Sequence, residues 1–235
     1  MSGSPLLAGV RAITFDAGGT LFAPHPSVGA VYREIALRHG CDFTEEALNT
    51  GFKQAFHDVS KDSCVLDPEA RERDFWRRVV IAAIADLGAE PADFAAFFGE
   101  LYDAFSHANR WRMLPGVTDT LHVLRGRGFR LGVLSNWDRR LCTVLEETAL
   151  RPLFDAVVVS SEAGFEKPDA GIFRVAERTL GAGPAECLHV GDSLKHDIEG
   201  ARAAGWRALL VRNAEGAATA DGEIRFLPDL LARLA

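Results

Sequence analysis

The apolar residues of the chain follow two patterns. Between residues 28 and 105 they recur every three or four positions, which is the spacing of amphipathic helices. Elsewhere, short continuous runs rich in β-branched residues alternate with helical stretches, and such runs are typical of strands buried on both faces of a parallel sheet. The runs cover residues 12–15, 130–135, 156–161, 187–192 and 207–211.

This alternation predicts an α/β fold with a doubly wound, Rossmann-like parallel sheet of five or more strands and right-handed crossovers. The long helical segment follows the first strand and predicts an inserted all-α cap of four helices, with Ser27 and Asp67 as helix N-caps. We expect the α/β core to comprise residues 1–23 and 111–235. The cap domain then comprises residues 24–110, and its many aromatic side chains are expected to fill its own small core.

Composition excludes several classes of partner. With 235 residues, 48% hydrophobic and 25% charged, the chain is typical of a soluble globular protein. A formal net charge of −7 and the lack of a dense basic run argue against a nucleic-acid partner. The first residues lack a signal-peptide or membrane-span pattern, so we expect a cytoplasmic protein with no membrane partner. Four widely spaced cysteines are predicted to be reduced thiols: Cys41, Cys64, Cys142 and Cys187.

Polar residues gather at or just beyond the ends of four of the five predicted strands. In an open parallel sheet, ligands bind outside the carboxyl ends of the strands, so we expect these side chains to meet at one edge. They are Asp16, Ser135, Asn136, Lys167, Asp192 and Asp197. By contrast, His189 lies inside the fourth apolar run and is predicted to be a buried core histidine, and Ser193 is predicted to be a helix N-cap.

The charges in this set point to a metal and a phosphoryl group. Clustered carboxylates repel one another unless a cation holds them, and oxygen ligands of this kind suit magnesium together with substrate phosphate. Asp16, Asp192 and Asp197 are the carboxylates, while Lys167 supplies a point charge that can meet phosphate oxygens. The sequence therefore predicts a Mg²⁺ cofactor and a small phosphorylated substrate.

Four segments in order along the chain resemble the motifs of the haloacid dehalogenase superfamily of hydrolases and phosphatases. They are FDAGGTLF at 15–22, LSN at 134–136, EKPDAGIF at 166–173 and HVGDSLKHD at 189–197. The resemblance covers nearly the whole chain and is to the branch with a helical cap inserted after the first motif.

The resemblance implies a role for each matched residue. Asp16 is implied as the nucleophile that forms an aspartyl-phosphate, with Ser135, the Asn136 amide and Lys167 holding phosphoryl oxygens. Thr20 is implied to orient the loop around the nucleophile and contact substrate. The implied metal ligands are Asp16, the carbonyl of Gly18, Asp192 and, directly or through water, Asp197.

One position departs from the superfamily pattern. Two residues after the nucleophile, its phosphatases normally carry a second aspartate that acts as general acid, and this chain has Gly18. Because a positioned acid–base group contributes about 10²–10⁴-fold in rate, we expect activity to be selective for leaving groups that depart without a proton. Alternatively, His25, His57 or Asp58 supplies the proton.

Three further functions stay open. Dehalogenases of the superfamily also lack the second aspartate, but they need no magnesium and lack the acidic pair that Asp192 and Asp197 form here. A phosphonate-cleaving enzyme would need a cap lysine, for which Lys53 and Lys61 are the candidates. A pseudo-enzyme that binds a phosphorylated ligand or partner without turnover is an alternative of another class.

Overall fold

The computed structural model describes residues 8–61, 65–214 and 222–234. The chain divides into two compact units. The first is α/β and contains the described parts of 1–23, 113–138 and 148–235. The second is helical and contains the described parts of 24–112 together with 139–147.

A six-stranded sheet forms the centre of the α/β unit. The strands are β1 (Ala12–Phe15), β4 (Arg130–Ser135), β5 (Ala156–Val159), β6 (Cys187–Gly191), β7 (Arg207–Val211) and β8 (Glu223–Ile224). The strand order is β5-β4-β1-β6-β7-β8, and every pairing is parallel. Two more strands, β2 (Phe22–Pro24) and β3 (Trp111–Met113), form a separate two-stranded sheet.

The predicted α/β fold is therefore confirmed, with one strand more than the apolar runs showed. The third run was expected to extend to residue 161, but β5 ends at Val159 and a short helix starts at Ser160. The Ser160 hydroxyl donates to the Trp137 carbonyl at 3.1 Å, and side-chain bonds of this kind compete with a strand ladder. The fourth run ends one residue early, since β6 stops at Gly191.

Helices accompany the sheet in the α/β unit. One buried cluster joins Ile172 and Phe173 to Leu134 of β4 and to Ile198. Because these apolar side chains are removed from water together, the cluster holds the last third of the chain on the sheet. The α-helices of this unit are α5 (Val117–Gly126), α7 (Ser160–Ala163), α8 (Ala170–Leu180) and α9 (Gly200–Ala203), and a π-helical segment covers Leu194–Glu199. Helix α6 (Arg140–Glu147) groups with the helical unit.

Four α-helices lie between residues 24 and 112 of the helical unit, as the periodicity predicts. They are α1 (Val28–Arg38), α2 (Glu45–Asp58), α3 (Pro68–Ile84) and α4 (Phe94–Ala104). Both predicted caps are confirmed, because Ser27 accepts from the Ala30 amide and Asp67 from the Ala70 amide. Residues from all four helices share one buried cluster that includes Phe97, although Phe56 is half exposed.

The helical unit contains a segment that we expected in the core. Residues 139–147, which carry α6, group with it, and the unit extends to residue 112 rather than 110. Glu147 accepts from the His107 ring at 3.0 Å and from the Ala108 amide at 2.7 Å. The Arg140 guanidinium also lies 3.7 Å from the centre of the Tyr102 ring. These side-chain contacts follow no sequence periodicity, which explains why the pattern missed them.

Two smaller findings concern the helices and the cysteines. Across the described ranges, the helices are too short or too polar to cross a bilayer. Cys41, Cys142 and Cys187 are reduced cysteines. Cys64 lies outside the described residues.

Candidate active site

The three central strands of the sheet bring the predicted residues to one edge. In the order β4-β1-β6, Ser135 is the last residue of β4, Asp16 follows β1, and Asp192 follows β6. Parallel pairing places Phe15 beside both Val133 and Val190, so the strands end at nearly the same level. The sheet thus gathers residues that lie far apart in sequence.

Lys167 connects two of the carboxylates. Its ammonium is buried and donates to Asp16 Oδ1 at 2.7 Å, to Asp197 Oδ1 at 2.5 Å and to the Leu134 carbonyl at 2.9 Å. Burial alone would lower the Lys167 pKa, but the two carboxylates more than offset this and raise it above its usual value. Lys167 therefore stays charged and uses its three donors inside the site.

The Asn136 side chain holds Lys167 in place. Its amide nitrogen donates to the Lys167 carbonyl at 2.9 Å, and its oxygen accepts from the Lys167 backbone amide at 2.7 Å. This double contact fixes the chain where Lys167 enters the site. The predicted contact of Asn136 with phosphate through its backbone amide stays a prediction.

Asp197 is surrounded by donors. Besides Lys167, its Oδ1 accepts from His189 Nε2 at 3.0 Å, and its Oδ2 accepts from the Ser193 backbone amide at 2.8 Å. Burial would raise the Asp197 pKa, but attraction to Lys167 and the His189 hydrogen bond hold it well below its usual range. Ser193 is also the predicted N-cap, since its hydroxyl accepts from the His196 amide.

Asp192 behaves in the opposite way. Loss of hydration and then repulsion from Asp16 and Asp197 raise its pKa to about 7. A cation beside these carboxylates would relieve the repulsion from Asp16 and Asp197. One carboxylate oxygen from each of Asp16, Asp192 and Asp197 lies within 4.8 Å of the others. This close set of hard oxygen atoms fits a divalent cation such as magnesium.

The loop after Asp16 is shaped around Asp192. Gly19 has a φ of +76°, and a Cβ there would lie 2.2 Å from Asp192 Oδ2, so only glycine fits. Thr20 follows Gly19 in this loop and is buried. Ser135, at the end of β4, is buried as well. The Thr20 hydroxyl is buried and has no hydrogen-bond partner among the described residues, and its predicted contact with substrate stays a prediction.

Comparison with known proteins identifies the family. A family model of haloacid dehalogenase-like hydrolases matches residues 10–205. The chain belongs to the haloacid dehalogenase-like hydrolase family. Human haloacid dehalogenase-like hydrolase domain-containing protein 3 is 38% identical over 205 residues, which cover 86% of this chain and 82% of the human protein.

Solved haloacid dehalogenase-like structures include enzymes of two kinds. A HAD phosphatase from Thermococcus onnurineus is 25% identical with a TM-score of 0.67, covering 96% of this chain and 98% of its own. A 2-haloacid dehalogenase from Pseudomonas syringae pv. Tomato DC3000 is 26% identical with a TM-score of 0.64, covering 96% of this chain and 100% of its own. Similarity alone thus leaves both reaction types open for this family member.

The structure leaves room for a side chain at Gly18. Among the described residues, a Cβ at this position would meet the Trp137 ring at 3.9 Å, which is ordinary van der Waals contact. The backbone of Gly18 also avoids the left-handed region. Neither contact with a Cβ nor backbone conformation therefore requires glycine here.

The alternative donors and the cap lysines all belong to the helical unit. On α2, His57 Nδ1 lies 2.7 Å from Asp58 Oδ1. Hydrogen bonds from His57 and Gln54 lower the Asp58 pKa, so this carboxyl group holds a proton less readily and is less suited to act as a general acid near neutral pH. Lys61 pairs with the buried Glu72 at 3.4 Å. The roles proposed for His25, His57, Asp58, Lys53 and Lys61 stay predictions.

Sequence reasoning missed two residues of the site. His189 is buried with its polar atoms bonded, as predicted, but one of its partners is the site carboxylate Asp197. Asn213, two residues beyond β7, donates from its side-chain amide to the Gly19 carbonyl and so holds the loop after the nucleophile. Asn213 has a φ of 49°, and an asparagine just after a strand was the only available signal.

Proposed function

We propose that this protein is a magnesium-dependent phosphohydrolase. It acts on a small phosphorylated metabolite through an aspartyl-phosphate on Asp16, and Gly18 takes the place of the usual general acid. The observation that carries the proposal is the set of three carboxylates with oxygens within 4.8 Å of one another, two of which share the ammonium of Lys167. The similarity to a HAD phosphatase supports the same class of reaction.

The proposed metal ligands differ in how free their oxygens are. Asp192 and Asp16 would hold the ion with the carbonyl of Gly18, while Asp197 already accepts three hydrogen bonds and acts through water or by holding Lys167. When bound, magnesium neutralises negative charge on the phosphoryl oxygens. The raised pKa of Asp192 is consistent with a carboxylate that needs this partner.

The residues of the chain carry the two displacements. An Asp16 oxygen forms a bond to phosphorus as the bond from phosphorus to the leaving oxygen breaks. Lys167, Ser135 and the Asn136 amide hold the phosphoryl oxygens as charge develops on them. Water then attacks phosphorus, the Asp16–phosphorus bond breaks, and inorganic phosphate leaves. Because Gly18 gives no proton, acyl and aryl phosphates are the favoured substrates.

Dehalogenation is the second candidate, favoured by the similarity to a 2-haloacid dehalogenase. In that reaction Asp16 would attack carbon and displace halide without a metal. The exposed carboxylate of Asp192 would then have no ion to bind. Asp192 would then raise electrostatic repulsion at the site without a function. We therefore rank phosphoryl transfer above it.

Hydrolysis assays distinguish the candidates. Acetyl phosphate and p-nitrophenyl phosphate are tested with magnesium and with EDTA, using the wild type, Asp16→Asn and the control Asp42→Asn, whose carboxylate is exposed in the helical unit. We expect magnesium-dependent phosphate release that Asp16→Asn abolishes and Asp42→Asn leaves intact. Chloride release from 2-chloropropionate in EDTA would instead support the dehalogenase, and phosphoester binding without any turnover would support the pseudo-enzyme.

A further inference from the structure

A line of hydrogen bonds crosses the sheet behind the candidate active site. Thr14 of β1 and His189 of β6 are register partners, and both are buried. Thr14 Oγ1 lies 2.8 Å from His189 Nδ1, and His189 Nε2 lies 3.0 Å from Asp197 Oδ1. The same Asp197 oxygen accepts from Lys167, which in turn donates to Asp16. The line therefore runs from an inner strand position to the nucleophile.

The chemistry of the partners fixes the direction of each bond. Asp197 Oδ1 already accepts from the Lys167 ammonium, and His189 Nε2 supplies the hydrogen of its second contact. On the other side of the ring, the buried Thr14 hydroxyl lies 2.8 Å from Nδ1, and the hydrogen of a buried hydroxyl needs an acceptor. Nδ1 is consequently an acceptor, and the Thr14 hydroxyl donates to it.

We propose that His189 is a positioning residue of this site. Thr14 and Asp197 together hold its ring in the Nε2–H tautomer, and that N–H converges with the Lys167 ammonium on Asp197 Oδ1. Asp197 cannot turn away from Lys167 without losing the His189 bond, so Lys167 stays directed at Asp16. An apolar side chain would fill the same space beside Phe173 but would not hold Asp197.

The tautomer is tested directly by NMR of ¹⁵N-histidine-labelled protein, through two-bond ¹⁵N–¹H correlations of the His189 ring. We expect the Nε2–H form in the wild type. In Thr14→Val, which keeps the shape of the side chain but removes its donor, Asp197 still requires a hydrogen on Nε2, so we expect the Nε2–H form to persist and the ¹⁵Nδ1 resonance to shift as its hydrogen bond is lost. A wild-type ring in the Nδ1–H form, or an Nδ1 resonance that Thr14→Val leaves unshifted, would overturn the proposal. This measurement is independent of any catalytic activity.

Two matched variants test the positioning role. In His189→Gln the amide nitrogen reaches about the place of Nε2 and can still donate to Asp197, whereas in His189→Asn it reaches only the place of Nδ1. We expect His189→Asn to lose about 10–100-fold in kcat with little change in KM, and His189→Gln to retain activity within about 3-fold of wild type. Equal losses in the two variants, at matched unfolding midpoints, would contradict the role.

The kinetic comparison rests on the proposed function, but the structural one does not. Crystal structures of the two variants should show Asp197 bonded to Lys167 in His189→Gln and rotated away in His189→Asn. Should the wild type hydrolyse no phosphoester, the proposed function fails while these structures still decide the role of His189. An undisturbed Asp197–Lys167 contact in His189→Asn would refute it.

Discussion

The variant Gly18→Asp tests whether the missing side chain sets the substrate range. It places a carboxyl group two residues after Asp16, the proposed nucleophile, where a Cβ meets the Trp137 ring at 3.9 Å and no other described residue within 4 Å. Neither backbone strain nor a steric clash opposes the change, and the Gly18 carbonyl, a proposed metal ligand, is retained. The three nearby carboxylates would raise the pKa of the new group, which favours its action as an acid.

The size of the effect follows from the value of general acid catalysis. A positioned acid contributes about 10²–10⁴-fold, or about 2.7–5.4 kcal/mol, for a leaving group that needs a proton. We therefore expect Gly18→Asp to raise kcat/KM for an alkyl phosphate by up to this factor. The rate for p-nitrophenyl phosphate should change little, because nitrophenolate leaves unprotonated.

The assay compares kcat/KM for nitrophenyl, phenyl and alkyl phosphates at saturating magnesium. Wild type should depend steeply on leaving-group acidity, and Gly18→Asp should flatten that dependence. Gly18→Asn is the matched control, because it adds about the same volume but its amide is not an acid. The dependence of kcat/KM on leaving-group acidity should therefore stay steep in Gly18→Asn. A shallow slope in the wild type would refute the reasoning and point to a substitute acid. A flattened slope in Gly18→Asn would refute it as well.

Three further predictions follow from the contacts of the site. Lys167→Met leaves two buried carboxylates without their cation and should lower the unfolding free energy in urea by about 3–5 kcal/mol, and an unchanged midpoint would contradict the buried pairing. Asn213→Gly tolerates the left-handed backbone but loses the bond to Gly19, so kcat/KM should fall about 2–12-fold. If Asn213→Gly lowers only Tm, by as much as the strained Asn213→Ala does, and leaves kcat/KM unchanged, a role in the loop is refuted. The Asp192 pKa is raised from its ordinary value to about 7, so metal-free protein loses stability as pH rises from about 4 to 7, and magnesium should raise Tm more at pH 8 than at pH 5. This pH dependence should be absent in Asp192→Asn.

The fold was predictable because its signals are local. Each buried strand of the α/β unit carries its own apolar run, and helices such as α1 carry both their period and their cap. The sixth strand, β8, has only two residues, too few for any pattern to show. The placement of α6 with the helical unit depends on single contacts such as Glu147 with His107, which no periodic pattern encodes.

The site was predictable to the level of which residues meet, since parallel strands bring their carboxyl ends together. The partners that hold those residues were not. His189 has the same sequence context as a histidine that merely fills a core, and only the register with Thr14 and the reach to Asp197 separate the two cases. Asn213 lies far along the chain from the loop that it contacts.

The two acidic residues of the last motif show most clearly what three dimensions add. Asp192 and Asp197 have the same charge and lie five residues apart, and before the structure only the resemblance separated them, by allowing Asp197 to act through water. In the structure Asp197 is buried among Lys167, His189 and a backbone amide, which lowers its pKa. Asp192 loses hydration and faces Asp16 and Asp197, so its pKa is raised. The chain thus balances the charge of Asp197 and leaves that of Asp192 unbalanced. The magnesium ion that we propose would supply the missing positive charge beside Asp192, while the chain itself supplies it beside Asp197.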